Sequence, residues 1–284
     1  MLDVAALHLN PWNTLLIQSF SYLCKNNNIL RHFLHLAYKG THYSGWQWQP
    51  NAVSVQGTIE AALEKMLKKP MKIHGCGRTD AGVHASQYFA HLDIEENWDF
   101  DIVERLNRML PKDIAIFDLI PTKEGANTQK DALNRTYDYY IHFRKHPFLS
   151  EFSTHYIGAP LDIEKMNAAA QMLTSHRDFR ALCKSPDKVP HTRCLVMAAE
   201  IVEINHGAGL RLRITASRFL KGMIRLIVTK LLEVGQGKIS VSELDTFIGR
   251  QENPDYKVLA PPQGLRLSRV IYPFLDIEPV HGFL

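Results

Sequence analysis

The sequence predicts an α+β fold built on antiparallel sheets, and three observations carry that expectation. Apolar residues alternate with polar ones over several short runs. Elsewhere they recur at helical spacing, and the connections between runs are of hairpin length, unlike the cadence of a parallel doubly wound sheet. The 284 residues are 45% apolar, an ordinary globular composition that can bury one large core or two modest ones.

The elements follow in order. Leu34, Leu36 and Tyr38 alternate with His35 and Ala37 as in a strand, and Ile59, Leu63, Met66 and Leu67 then fall on one helical face. A strand near Met71 to Gly75 leads into a glycine-rich loop, and Tyr88, Ala90, Leu92 and Ile94 alternate in the strand beyond it, from Gln87 to Ile94. Ile102, Val103, Leu106 and Met109 mark a helix before the apolar strand Ile114 to Ile120. The second half repeats the theme, with Tyr137, Tyr139, Ile141 and Phe143 alternating before helix positions Met166, Ala169, Ala170 and Leu173.

Strand signals return in Leu195 to Ile204. Leu210, Leu212, Ile214 and Ala216 then alternate with Arg211, Arg213 and Thr215, giving one apolar and one basic face. A helix is expected from Phe219 to Glu233, closed by Gly235 and weakened locally by Gly222 within it. Ser240 and Glu243 make a capping-box pattern ahead of Val241, Leu244, Phe247 and Ile248. Pro121 to Asp131 reads as the link between two related halves.

A formal charge of +4 makes a polyanionic partner plausible without establishing one. Cys24, Cys76, Cys183 and Cys194 form no CxxC pair, so free thiols in a reducing cytoplasm are expected. Cys183, His191 and Cys194 lack the spacing and the fourth ligand of a structural zinc site, and no metal is expected. The N-terminal stretch shows neither a basic leader before Lys25 nor a sustained apolar run, which suggests a cytoplasmic protein without membrane attachment. Trp12, Leu15, Leu16, Ile17 and Phe20 suit either a short docking helix or a loose extension.

Gly75-Cys76-Gly77-Arg78-Thr79-Asp80-Ala81-Gly82-Val83-His84-Ala85 concentrates an arginine, a carboxylate and a histidine among small residues. Its glycines allow a sharp turn that presents Arg78 and Asp80 outward. On residue types alone the segment suits an active-site loop and a hairpin turn equally, since turn aspartates often accept backbone hydrogen bonds.

Gly77 to Ala85 resembles the signature loop of the bacterial tRNA pseudouridine synthase A family. The resemblance extends through Tyr38 to Gln49, Val55 to Glu60, Leu110 to Ile114, Arg135 to Tyr139, Asp178-Phe179, Thr192-Arg193, Phe219 to Arg225 and Gly264 to Leu267. These segments keep the family's order from about residue 31 onward. The resemblance implies the pseudouridine synthase fold, in which two α+β subdomains of ferredoxin or RRM type join their sheets across a central cleft. Residues 31–125 would form the first subdomain, with the catalytic loop, and residues 126–284 the second, leaving residues 1–30 as an N-terminal extension.

The activity implied is isomerisation of uridine to pseudouridine in the tRNA anticodon arm, at tRNA positions 38 to 40, by a homodimer needing no cofactor. Asp80 would be the catalytic carboxylate, acting at the sugar as nucleophile or as base. Arg225 would be its cationic partner, although an arginine at a helix edge can equally snorkel to water. Tyr137 would stack on the target uracil and Leu265 would line the pocket, although both positions also suit plain core packing. Arg78 would help hold the extruded nucleotide. Lys39, Lys65, Lys68, Lys69, Lys72, Arg211 and Arg213 could follow the RNA backbone or simply be solvated.

The chain departs from the family at Ala126-Asn127-Thr128-Gln129, where Phe-His-Ala-Arg is usual. That departure keeps open a second hypothesis, an RNA-binding or RNA-folding protein on the same scaffold without turnover. An aspartate-dependent hydrolase finds little support, for the chain has no Gly-x-Ser-x-Gly elbow, P-loop or His-Glu-x-x-His.

Overall fold

Both patterns of apolar spacing become structure in the computed structural model, which describes residues 29–95, 98–252 and 258–280. The segment from Trp12 to Phe20 lies outside these residues. In chain order the elements are β1 (Ile29–Tyr38), α1 (Val55–Leu67), β2 (His74–Gly75), β3 (His84–Glu95), α2 (Ile102–Met109), β4 (Ile114–Pro121), β5 (Asn134–His142), β6 (Thr154–His155), α3 (Ile163–Met172), β7 (Val196–Ile204), β8 (Gly209–Ala216), α4 (Met223–Gly235), α5 (Val241–Arg250) and β9 (Leu265–Ile271).

The strands form one mixed sheet in the order β4-β1-β3-β9-β5-β8-β7, with β2 on β3 and β6 on β5. In the first half β1 pairs antiparallel with β3 and β4, and in the second β5 pairs antiparallel with β8, and β8 with β7. The seam is β9, which runs antiparallel to β5 and parallel to β3. Only two residue pairs, His84 with Arg266 and Ala85 with Leu267, register β9 on β3.

Leu34 and Leu36 of β1 are fully buried, as are Ile59 of α1 and Leu106 of α2. Ile214 of β8, Ala169 of α3 and Val234 of α4 are likewise closed off in the second half. The capping box that the sequence suggests forms at α5, where Ser240 Oγ accepts from the Glu243 N–H at 3.2 Å and Glu243 Oε2 accepts from the Ser240 N–H at 2.7 Å.

Several expectations are corrected. Of Met71 to Gly75 only His74–Gly75 pairs as a strand. Gly222 is not inside the arginine helix but precedes it as the N-cap, with φ at +71°, a left-handed conformation that glycine adopts without strain. The basic face of β8 is neutralised, because Arg213 binds Asp138 through Nε at 2.8 Å and Nη2 at 3.0 Å, and Asp138 is buried. The expected link, Pro121 to Asp131, is anchored by two buried side chains, Ala126 and Thr128. Among the described residues no helix is long and apolar enough to cross a membrane.

Candidate active site

The loop between β2 and β3 is held from outside by the segment that follows β1. The Trp46 N–H donates to the Thr79 carbonyl at 3.3 Å, and the Gly82 N–H donates to the Tyr43 carbonyl at 3.2 Å. Tyr38 Oη lies 2.8 Å from Thr79 Oγ1, both side chains being buried. This approach is close enough to require glycine at Gly45, where a Cβ would sit 2.3 Å from the Thr79 oxygen on a backbone of φ +92°. The Tyr38 to Gln49 run therefore serves as the outer clamp of the Asp80 loop.

Asp80 faces the first turn of α4. Arg225 Nη1 lies 3.3 Å from Asp80 Oδ2, while Arg225 Nε donates to the Ala260 carbonyl at 2.6 Å. The Ala260 N–H returns a bond to the Arg225 carbonyl at 3.2 Å. Arg225 thus turns inward, with 16% of its side chain exposed, rather than snorkelling to water. Its guanidinium is fixed by a backbone oxygen before it meets the carboxylate, so its fork is oriented in advance. Asp80 Oδ2 is engaged by Arg225, whereas Oδ1 makes no hydrogen bond among the described residues.

Tyr137 stands beside this pair. It is 7% exposed and meets Phe219 edge-on, with ring centroids 5.1 Å apart and planes at 80°. Burial pushes its phenol well above the usual range, with the Cys76 thiol and Asp80 adding to that and Arg135 opposing it. Tyr137 pairs across the ladder with Leu267 and Tyr139 with Leu265, which puts Leu265 on the same sheet face as Tyr137. Leu265 is buried. Arg78 is exposed, and its side chain makes no hydrogen bond or ion pair among the described residues. The structure therefore gathers Asp80, Arg225 and Tyr137, sets Leu265 on the adjoining wall and leaves Arg78 free above the loop.

A buried cation beneath the loop escaped the sequence reading. Arg135 is 8% exposed, yet among the described residues it meets no carboxylate. Its Nε and Nη2 donate to the Cys76 carbonyl at 3.1 and 2.7 Å, Nη2 also to the Gln129 carbonyl at 2.7 Å, and Nη1 to the Ser217 carbonyl at 3.2 Å. One guanidinium thereby ties the Asp80 loop to two segments of the second half. The available signal was an arginine at the head of an otherwise apolar alternating strand, on the same face as Tyr137.

Within the Ala126 to Gln129 departure, Ala126 and Thr128 are buried against the scaffold, whereas Gln129 is exposed. Thr128 Oγ1 donates to the His74 carbonyl at 2.8 Å, Tyr272 Oη donates to the Thr128 carbonyl at 2.7 Å, and Arg31 Nη1 donates to the Ala126 carbonyl at 2.6 Å.

Of the lysines singled out in the sequence, Lys65 and Lys68 are exposed, and further positive charge lies where the sequence did not point. Lys39 is paired with Glu151 and Lys72 with Glu60. Lys184, Lys188, Arg193 and Lys221 are instead exposed on two segments joined where the Lys184 N–H donates to the Lys221 carbonyl at 2.9 Å. Arg218 lies 3.3 Å from His191 beside them, and Asp187 is taken up by Arg180 at 2.6 Å. This basic rim leads directly into the turn of α4 that carries Arg225. It was missed because its members come from separate loops.

Cys76, Cys183 and Cys194 are buried free thiols, and burial pushes Cys76 and Cys194 each up to about 11. Among the described residues no group of three or more histidine, cysteine or acidic side chains is placed to hold a metal ion.

The profile of a family described as "tRNA pseudouridine synthase" matches residues 35–124 and 169–273 of the chain. The chain is 42% identical over 248 residues to the tRNA pseudouridine synthase A of Bacteroides fragilis, covering 87% of this chain and 98% of that protein. It is 40% identical over 246 residues to the protein of that name from Porphyromonas gingivalis, covering 86% and 97% of the two chains. To its counterpart in Staphylococcus aureus it is 32% identical over 248 residues, covering 85% and 90%.

Proposed function

The chain belongs to the tRNA pseudouridine synthase family, and from that premise we propose that Asp80 is the carboxylate with which it isomerises uridine in tRNA. The protein is an isomerase acting on tRNA; the residues and the positions modified are our assignment. The contact of Asp80 with Arg225, at the end of a guanidinium already fixed by Ala260, is the observation that supports it most.

In this reaction the bond from ribose C1′ to uracil N1 breaks and one from C1′ to C5 forms. The C5 proton goes to solvent and N1 gains one. The unengaged Oδ1 of Asp80 acts at the sugar, either on C1′ as nucleophile or on the C2′ proton as base. Arg225 holds the other oxygen, so that a single lone-pair edge faces the substrate. Tyr137 offers a flat, neutral surface against which a detached base can rotate while remaining held. Leu265 closes the pocket beside it, and Arg78 binds the extruded nucleotide from the rim. Lys184, Lys188, Arg193, Arg218 and Lys221 follow the phosphates leading to the site.

The substrate positions are uridines 38 to 40 of the anticodon arm, and the working form is a cytoplasmic homodimer whose two copies share one tRNA. With Asp80, Arg225 and Tyr137 still assembled, the Ala126 to Gln129 departure bears on RNA affinity rather than on chemistry. The test is release of tritium from tRNA labelled at uracil C5, comparing wild type with Asp80→Asn. Release abolished by the substitution is expected. Release surviving it would displace Asp80 from the reaction, and retained tRNA binding with no release by wild type would favour the binding-only alternative.

A further inference from the structure

Phe148 is 84% exposed in a loop held by its own hydrogen bonds. The loop between β5 and β6 is closed by two successive turns. The Leu149 N–H donates to the His146 carbonyl at 3.2 Å and the Phe152 N–H to the Leu149 carbonyl at 2.9 Å. Ser150 Oγ also donates to the Pro147 carbonyl at 2.8 Å. The loop therefore presents Phe148 in a fixed place rather than trailing it in solvent.

Its base is seated on the elements that carry the candidate site. Glu151 pairs with Lys39 at 3.0 Å, and Phe152 meets the ring of His84 with centroids 5.5 Å apart. His84 opens β3 directly after the Asp80 loop, and the Gly40 N–H donates to its Nδ1 at 3.0 Å. Along β5 the loop begins at Phe143, six residues after Tyr137, which at about 3.3 Å per residue is about 20 Å from it.

The charge of the loop is one-sided. Arg144, Lys145 and His146 are exposed immediately before Phe148, and His146 is a ring neighbour of Phe148 at 5.9 Å. The only acidic residue of the loop, Glu151, is neutralised by Lys39. An exposed aromatic ring flanked by cations that are unpaired among the described residues is the pattern that suits a nucleic-acid strand, with the ring stacking on an unpaired base and the cations on the phosphates beside it.

We infer that the Phe143 to Ser153 loop is a second RNA contact, in which Phe148 stacks on an unstacked base of the tRNA while Arg144 and Lys145 bind the adjoining phosphates. The inference rests on tRNA being the substrate. It places a base-gripping point outside the pocket, so that the arm is held while the target nucleotide is turned out.

The experiment measures tRNA binding and C5 tritium release by the full chain carrying Phe148→Ala, Phe148→Leu or Phe148→Trp, or Arg144→Ala with Lys145→Ala. Phe148→Ala and Phe148→Leu should weaken binding and raise KM by about tenfold, with kcat held within about twofold, and Phe148→Trp should restore wild-type values. The double alanine variant should flatten the dependence of log Kd on log salt by about one to two. Equal binding by wild type and Phe148→Ala would overturn the inference. So would a lower kcat at unchanged Kd, or a change in sedimentation mass at unchanged Kd, which would make Phe148 a seat for a second copy. Failure of wild type to release tritium would count against the proposed reaction alone, since the binding measurements still test Phe148.

Discussion

Arg225 reaches Asp80 with one nitrogen while another is committed to the Ala260 carbonyl. The carboxylate thus meets a cation whose direction is set by backbone. Arg225→Gln removes the charge and should lower single-turnover tritium release by about 10²- to 10³-fold, as for loss of a preorganised electrostatic partner, with tRNA binding little changed. Arg225→Lys keeps the charge without the fork and should recover only part of the rate. Equal loss in Kd and rate for both variants would mean that Arg225 serves binding rather than chemistry.

Arg135 should matter more for stability than its position away from solvent suggests. Arg135→Met leaves the buried carbonyl of Cys76 and the more accessible carbonyls of Gln129 and Ser217 without this partner, and an unsatisfied buried acceptor costs about 1–3 kcal/mol. A loss of about 1–3 kcal/mol is expected, read as a lower midpoint in denaturant at unchanged slope. A melt indistinguishable from wild type would show that water replaces the guanidinium freely.

Acid should destabilise the protein well before its carboxylates protonate. His91 is buried, and burial, with Arg31 and His74 nearby adding to it against Asp93 and Asp131, pulls it down to about 4. The unfolded chain binds that proton near pH 6.5. The contribution is therefore complete above pH 6.5 and is lost as pH falls toward 4. His84 and His142, also lowered by burial, act in the same direction. Thermal midpoints measured from pH 7.5 to 4.5 should fall across this window, and His91→Gln should flatten the slope. An unchanged slope in that variant would remove His91 from the account.

Elements with a clean period were legible in the sequence: α1, α2 and the alternation in β1, β3, β5 and β8 follow directly from apolar spacing. The seam strand β9 did not emerge from the pattern, because Arg266, Ser268 and Arg269 interrupt its apolar residues. Gly222 was read into a helix because composition does not reveal φ. In the site, Asp80, Arg225 and Tyr137 were reachable through resemblance, but the Ala260 carbonyl that aims Arg225 was not. A backbone oxygen leaves no mark on residue type. Arg135 and the rim around Lys184 stayed hidden for a related reason, since each gains its meaning only from segments distant in sequence.

The two-pair junction between β3 and β9 has a consequence for the time at which the enzyme becomes active. Asp80 is synthesised early and Arg225 is 145 residues later. The strand that registers one half of the sheet on the other, Leu265–Ile271, follows both of them in the chain. A growing chain, surrounded by tRNA at the translation machinery, holds the carboxylate for most of its synthesis without the seam that fixes its partner beside it. Under the proposed assignment, the pair can act only once this strand has been made and has paired with β3.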